Sequence, residues 1–233
     1  MPAVSMLDGW PNDRPIRIAV VEDEALLRDL LRSALGQYAG IDVIGDYPTA
    51  TEALERIPKL AIDVVVLDIE LGSDMNGIEL GIRLRRMMSN IGVLILSNHA
   101  DPQLLSSLPN DVIGGWSYLL KRSVTNVSSL TRAIQGAASG LLVFDPELTR
   151  QTRPRKAGPT AALSPRQREI LGLIAEGNSN GAIAERLVLS ERSIENHISR
   201  IYTALGIDAT DRSVHARVRA VIAFMHDSVT VPD

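Results

Sequence analysis

Cysteine is absent from all 233 residues. Its absence excludes disulfides, thiol nucleophiles and cysteine-ligated zinc, and it fits a reducing compartment. Aromatic residues are nearly as scarce, with two Phe, two Trp and four Tyr, which argues against a platform for stacking single-stranded bases. No apolar run approaches the ~20 residues of a membrane-spanning helix, and the start Met1-Pro2-Ala3 lacks a basic segment followed by an apolar one. The expectation is a cytoplasmic protein without membrane contact. Extreme charge is missing too: the net charge is −4, with 45% hydrophobic and 22% charged residues, a balance that argues against disorder over most of the length. The length accommodates two ordinary domains.

The small net charge hides an asymmetry. Residues 1–145 carry 12 Lys and Arg against 18 Asp and Glu, whereas 146–233 carry 12 against 10. An acidic module joined to a basic one suggests that only the second meets a polyanion. From residue 16 to about 139, short β-branched runs alternate with amphipathic stretches, the pattern of a doubly wound parallel sheet. Five strands are predicted, at 16–21, 42–47, 64–68, 92–97 and 116–120, with helices over 24–37, 49–59, 77–87 and 127–139. The stretch 101–115 is interrupted by Pro109, Asn110 and the Gly114-Gly115 pair. Residues 1–15 hold three prolines and read as a loose tail. Residues 141–162, rich in Pro, Gly, Thr and basic residues toward their end, read as an exposed linker.

A small all-α domain is predicted over 163–227. Ser164-Pro165 starts its first helix, with Ser as N-cap and Pro at the first helical position, and Ile170, Leu171 and Ile174 form the apolar stripe. A second helix, capped by Ser179 or Asn180, runs to Leu187. Ser190 caps a third over 191–205, which Gly206 ends. A fourth covers 211–225.

In a parallel sheet, residues at the carboxyl ends of the strands converge on one crevice. Here those residues are Glu22-Asp23, Asp68, Ser97 and Lys121. Taken singly, each has an ordinary explanation as a helix cap, a turn residue or a solvated charge. Four of five strands ending in the required type outweighs those explanations. Three carboxylates, a hydroxyl and an ammonium suit Mg²⁺ binding and phosphoryl transfer to a carboxylate.

The segments Val20–Glu24 (VVEDE), Val64–Glu70 (VVVLDIE), Leu94–Ala100 (LILSNHA) and Ser117–Lys121 (SYLLK) resemble the receiver domain of two-component response regulators over residues 16–140. The resemblance implies a flavodoxin-like α/β fold with Asp68 as phosphoacceptor. It also implies Mg²⁺ held by Glu22, Asp23, Asp68 and the Glu70 backbone carbonyl, Ser97 and Lys121 on the phosphoryl oxygens, and Tyr118 as the aromatic that switches with Ser97. Three features depart from the family pattern. The loop 71–77 has no proline and one extra residue, Asn98 replaces a small residue, and Arg122 follows Lys121 where Pro or Asp is usual.

The short connection at Val188–Ser190 fits a helix-turn-helix whose last helix enters the DNA major groove. A small protein-binding bundle would share the helix pattern. The face of the last helix favours DNA: Arg192, Ser193, Asn196, His197, Ser199 and Arg200 bond phosphates or base edges, while Ile194, Ile198, Ile201 and Leu205 form the opposite, apolar face. Residues 163–207 resemble the LuxR-type domain of NarL/FixJ response regulators. By that resemblance Glu195, Asn196 and Ser199 face base edges, with Glu195 able to read a cytosine amino group. Ser190, Arg192, Ser193 and Arg200 hold phosphates, and His197 is either a reader or a packed residue. Gly181 stands where the family often has a basic residue. Val214, Val218, Val221 and Ile222 are available for a dimer contact on DNA.

The resemblance over residues 16–225 implies a regulator phosphorylated by a sensor histidine kinase that binds double-stranded DNA as a homodimer, and not an enzyme. The alternative is an atypical receiver transcription factor controlled by a ligand or by expression level. A phosphohydrolase is disfavoured because Glu70 stands where an acid/base Asp is expected, and a small-molecule quorum sensor because of the acidic pocket.

Overall fold

The computed structural model describes residues 14–72, 75–100, 108–109, 112–124, 126–154, 158–208 and 216–230. Its described residues fall into two units, 14–141 and 142–230, separate in their internal contacts.

The first unit runs β1 (Ile16–Val21), α1 (Ala25–Gly36), β2 (Ile41–Tyr47), α2 (Ala50–Arg56), β3 (Val64–Asp68), α3 (Gly77–Met87), β4 (Gly92–Ser97), β5 (Trp116–Leu120) and α4 (Val127–Ala138). The five strands lie in the order β2-β1-β3-β4-β5, every neighbouring pair parallel. Strands β3, β4 and β5 are buried at every position, whereas β2 at the edge has only its two ends buried. Continuous β-branched runs belong in a sheet covered on both faces, and helices supply that cover. Val64, Val65, Ile95 and Leu120 are fully enclosed, each worth about 1.5–3 kcal/mol of apolar transfer. Thr49, Asn76 and Asn126 cap their helices by accepting from the third amide along.

The second unit holds β6 (Val143–Phe144), α5 (Pro146–Gln151), β7 (Thr152–Pro154), α6 (Pro165–Ala175), α7 (Asn180–Leu187), α8 (Glu191–Ala204), α9 (Ala216–His226) and β8 (Ser228–Thr230). Ser164 and Gln167 form a reciprocal capping box on α6, and Ser179 and Ser190 cap α7 and α8. The apolar residues Ile170, Leu171, Ile174, Ile183, Ile194, Ile201 and Val221 close its core.

Three expectations are extended or amended. A sixth strand, β6, follows the five predicted ones. Outside the predicted all-α span 163–227, which holds no strand among its described residues, β7 and β8 pair antiparallel with Thr152 opposite Thr230 and Pro154 opposite Ser228. The stretch read as exposed linker carries β6, α5, β7 and a 3₁₀ turn at Pro159–Ala162. That turn is anchored by Asp227, whose buried carboxylate accepts from the Thr160 amide at 2.9 Å and from the Thr160 hydroxyl. Two- and three-residue strands have no period to read, and their partners lie far along the chain. The tail 1–13, most of 101–111 and residues 209–215, with Val214, lie outside the described residues. Arg14, at the edge of the expected tail, makes a two-pronged bond to Asp63 at 2.7 and 2.8 Å. No helix among the described residues is long and apolar enough to cross a membrane.

Candidate functional site

The register of the sheet brings Glu22, Asp23, Asp68, Ser97 and Lys121 to its carboxyl edge, because β1, β3, β4 and β5 all end there. Carboxylate oxygens of Glu22, Asp23 and Asp68 lie within 4.8 Å of one another. Glu22 and Asp68 are buried, at 1% and 4% exposure, and Asp23 is exposed. The Lys121 ammonium stands 3.0 Å from Glu22 Oε2 and 2.9 Å from Asp68 Oδ2, bridging the two buried acids. The other Asp68 oxygen, Oδ1, is buried with no hydrogen-bond partner among the described residues.

Burial pushes the Glu22 carboxyl up; the Lys121 hydrogen bond opposes this, the Asp68 charge reinforces it, and the net shift is upward. For Lys121, burial pulls the ammonium down, but hydrogen bonds and charge attraction to Asp68 and Glu22 outweigh it and hold it above the ordinary lysine range.

Two glycines shape the crevice. A Cβ on Gly77 would lie 1.9 Å from the Asp68 carbonyl oxygen, so the start of α3 packs directly on the backbone of the central acid. Gly72 has φ +56°, and a Cβ there would meet Asp23 Oδ2 at 2.8 Å.

Ser97 is buried, and its hydroxyl donates to the His99 carbonyl at 2.8 Å while accepting from the His99 amide at 3.1 Å. The Tyr118 hydroxyl donates to the same carbonyl, with its ring 2% exposed. Ser97 and Tyr118 therefore meet on His99, an acceptor that residue type does not disclose. Arg122 donates to the Asn98 carbonyl at 3.0 Å. Glu70 lies exposed beyond β3.

In the second unit, α8 presents Arg192, Glu195, Asn196, Ser199 and Arg200 as exposed residues on the side opposite buried Ile194, Ile198 and Ile201. Ser193 and His197 are half-buried, and Ser190 is the exposed cap, accepting from the Ser193 amide at 3.2 Å. Leu205 is half-buried rather than part of the closed core. Val188, between α7 and α8, has φ 55° and is 91% exposed. Of the residues available for a dimer contact, Val218 and Val221 are buried in the unit's own core and Ile222 is half-buried.

The residue types alone leave Arg28 and Arg217 unassigned. Arg28 reaches back from α1 to the carbonyls of Glu22 and Asp23. Arg217 on α9 bonds the Asn178 carbonyl and, at 3.3 Å, Asn180 Oδ1, tying that helix to the start of α7; burial pulls its guanidinium down.

Residues 18–135 match the family described as the response regulator receiver domain, and residues 161–218 match the luxR family of bacterial regulatory proteins. The DNA-binding transcriptional activator DevR/DosR of Mycobacterium tuberculosis is 29% identical over 199 residues, covering 83% of this chain and 89% of that protein. The response regulator protein VraR of Staphylococcus saprophyticus is 30% identical over 220 residues, covering 92% and 99%. In fold, the chain is similar to the RcsB response regulator of Salmonella typhimurium, with a TM-score of 0.52 at 22% identity, covering 84% of this chain and 94% of that one. With a receiver match over half the chain, a luxR-type match behind it and relatives aligned nearly end to end, the chain belongs to the NarL/FixJ family of two-component response regulators, proteins that regulate transcription by binding DNA.

Proposed function

We propose that Asp68 accepts the phosphoryl group and that α8 reads the DNA. The observation that carries the first part is the asymmetry of the Asp68 carboxylate. Oδ2 is held by Lys121 while Oδ1 is buried with no donor among the described residues. A buried acceptor oxygen left without a partner is costly, and it fits a site built for another group. The donor set fits a small hard divalent cation: three carboxylates converge and no nitrogen or sulfur ligand is among them. Glu22, Asp23 and Asp68 would hold Mg²⁺, with the Glu70 carbonyl completing the set, and the ion would supply charge to offset repulsion between phosphate and the acids.

One Asp68 oxygen attacks phosphorus of a phosphohistidine on the sensor kinase. The P–N bond breaks, and its electron pair leaves with the imidazole. Lys121 exchanges its carboxylate contacts for a phosphoryl oxygen, Ser97 turns its hydroxyl from His99 to another, and Tyr118 moves with it. We further place the receiver over 16–140 and the DNA-binding module over 163–227 of a cytoplasmic protein, with 141–162 joining them, and a homodimer on DNA in which Ile222 remains accessible. Glu195, Asn196 and Ser199 face base edges; Ser190, Arg192, Ser193 and Arg200 contact phosphates; half-buried His197 orients the helix.

Intact-mass measurement of wild type and Asp68→Asn, after incubation with Mg²⁺ and a small-molecule phosphodonor, tests the acceptor. One adduct of about 80 Da in wild type alone is expected for transfer to Asp68. No adduct in either protein, with both folded, assigns the regulator instead to control by a ligand or by expression level.

A further inference from the structure

Arg28 lies on α1, one turn past the acidic pair, with its side chain only 16% exposed. One guanidinium nitrogen donates to the Glu22 carbonyl at 2.7 Å and to the Asp23 carbonyl at 3.3 Å. Its Nε stands 3.7 Å from Asp46 Oδ2, and the second Asp46 oxygen is 3.4 Å from Arg32. Asp46 is fixed by the sheet, since it pairs in register with Val20. Arg28 thus joins the backbone of the acidic segment to a strand outside the pocket.

This matters most for Asp23. Its carboxylate is exposed and has no hydrogen bond among the described residues, so nothing on the side chain itself sets its direction. Three carboxylates within 4.8 Å repel one another, and the freest of them is the one that would swing away. Fixing the two carbonyls fixes the peptide from which both side chains project. Asp46 offsets the guanidinium charge, so the clamp adds little net repulsion toward a cation.

We propose that Arg28 is a positioning residue of the cation site, holding Glu22 and Asp23 in ligating geometry through their backbone carbonyls. The assignment rests on the reading of the acidic pocket as a Mg²⁺ site. It makes a prediction opposite in sign to that of charge alone. Removing a positive group near three carboxylates strengthens cation binding by simple Coulomb attraction, whereas loss of a clamp weakens it.

The test is calorimetric titration of the full chain with Mg²⁺ alone, comparing wild type, Arg28→Met and Arg28→Lys, with folding checked by circular dichroism. Arg28→Met keeps the apolar stem, and its dissociation constant is expected to rise on the order of ten-fold, as for other groups that orient metal ligands. Arg28→Lys keeps the charge but cannot reproduce the planar fork, so it weakens binding less, and it carries the test alone if the Met variant does not fold. Unchanged or tighter binding in the folded variants overturns the assignment and leaves the pocket standing. No Mg²⁺ binding by wild type overturns the pocket and Arg28 together.

Discussion

Asp68 and Lys121 are recognisable from their places at strand ends, but Gly77 shows what residue type conceals. The Asn76-Gly77 pair reads as a helix start, which it is, since Asn76 accepts from the Glu79 amide at 2.9 Å. The close approach of Gly77 to the Asp68 carbonyl appears only once β3 and α3 are packed. Gly77→Ala is therefore expected to push α3 off the central acid, costing about 1–3 kcal/mol of stability by overpacking, read from the urea-unfolding midpoint.

The raised Glu22 and Lys121 groups give a pH signature. A group raised on folding stabilises the protein fully below its unfolded value and loses that contribution as pH rises through its folded value. For Glu22 the loss falls above the ordinary glutamate range, and for Lys121 above the ordinary lysine range. Without divalent ions, unfolding free energy should contain a step down as Glu22 ionises, and Glu22→Gln should remove it. Saturating Mg²⁺ should shift the step to lower pH, since the ion favours the carboxylate. A step that persists in Glu22→Gln would assign it to another acid.

Helix starts are legible because caps are chemical: Ser164, Ser179 and Ser190 each accept from the amide three residues on. Ser190→Ala should cost about 1 kcal/mol and speed amide exchange in the first turn of α8. Val188 runs against local preference. A β-branched residue at φ 55° carries strain of about 1–2 kcal/mol, and its 91% exposed side chain recovers little by packing. Val188→Asn should raise stability by about 1 kcal/mol, measured by urea unfolding, because Asn tolerates that backbone region. The parallel strands are legible for a related reason, since uninterrupted runs such as Val64–Asp68 leave few other folds. The pairing of β7 with β8 is not, because each supplies only three residues, too few to show a period, and the two lie far apart along the chain.

The division of charge along the chain becomes a division of labour. Excess acid belongs with the unit holding the carboxylate crevice, and excess base with the unit carrying α8. If Arg200 contacts a phosphate, Arg200→Ala should weaken binding to all duplexes alike and lower the magnitude of the log–log salt slope by about 1. Asn196→Ala should instead erode preference among sequences. Fluorescence anisotropy on a preferred and a scrambled duplex, at several salt concentrations, separates the two. Equal loss of preference in both variants would reject the assigned roles.

The antiparallel pairing of β7 with β8 sets the strand that leads into helices α6 to α9 beside the strand that follows them, with Thr152 opposite Thr230. Side-by-side ends turn the segment from β7 to β8 into a cassette: spliced into an exposed turn of an unrelated carrier, it would span only the gap between two paired strands, about 5 Å, and leave the host's turn unstretched.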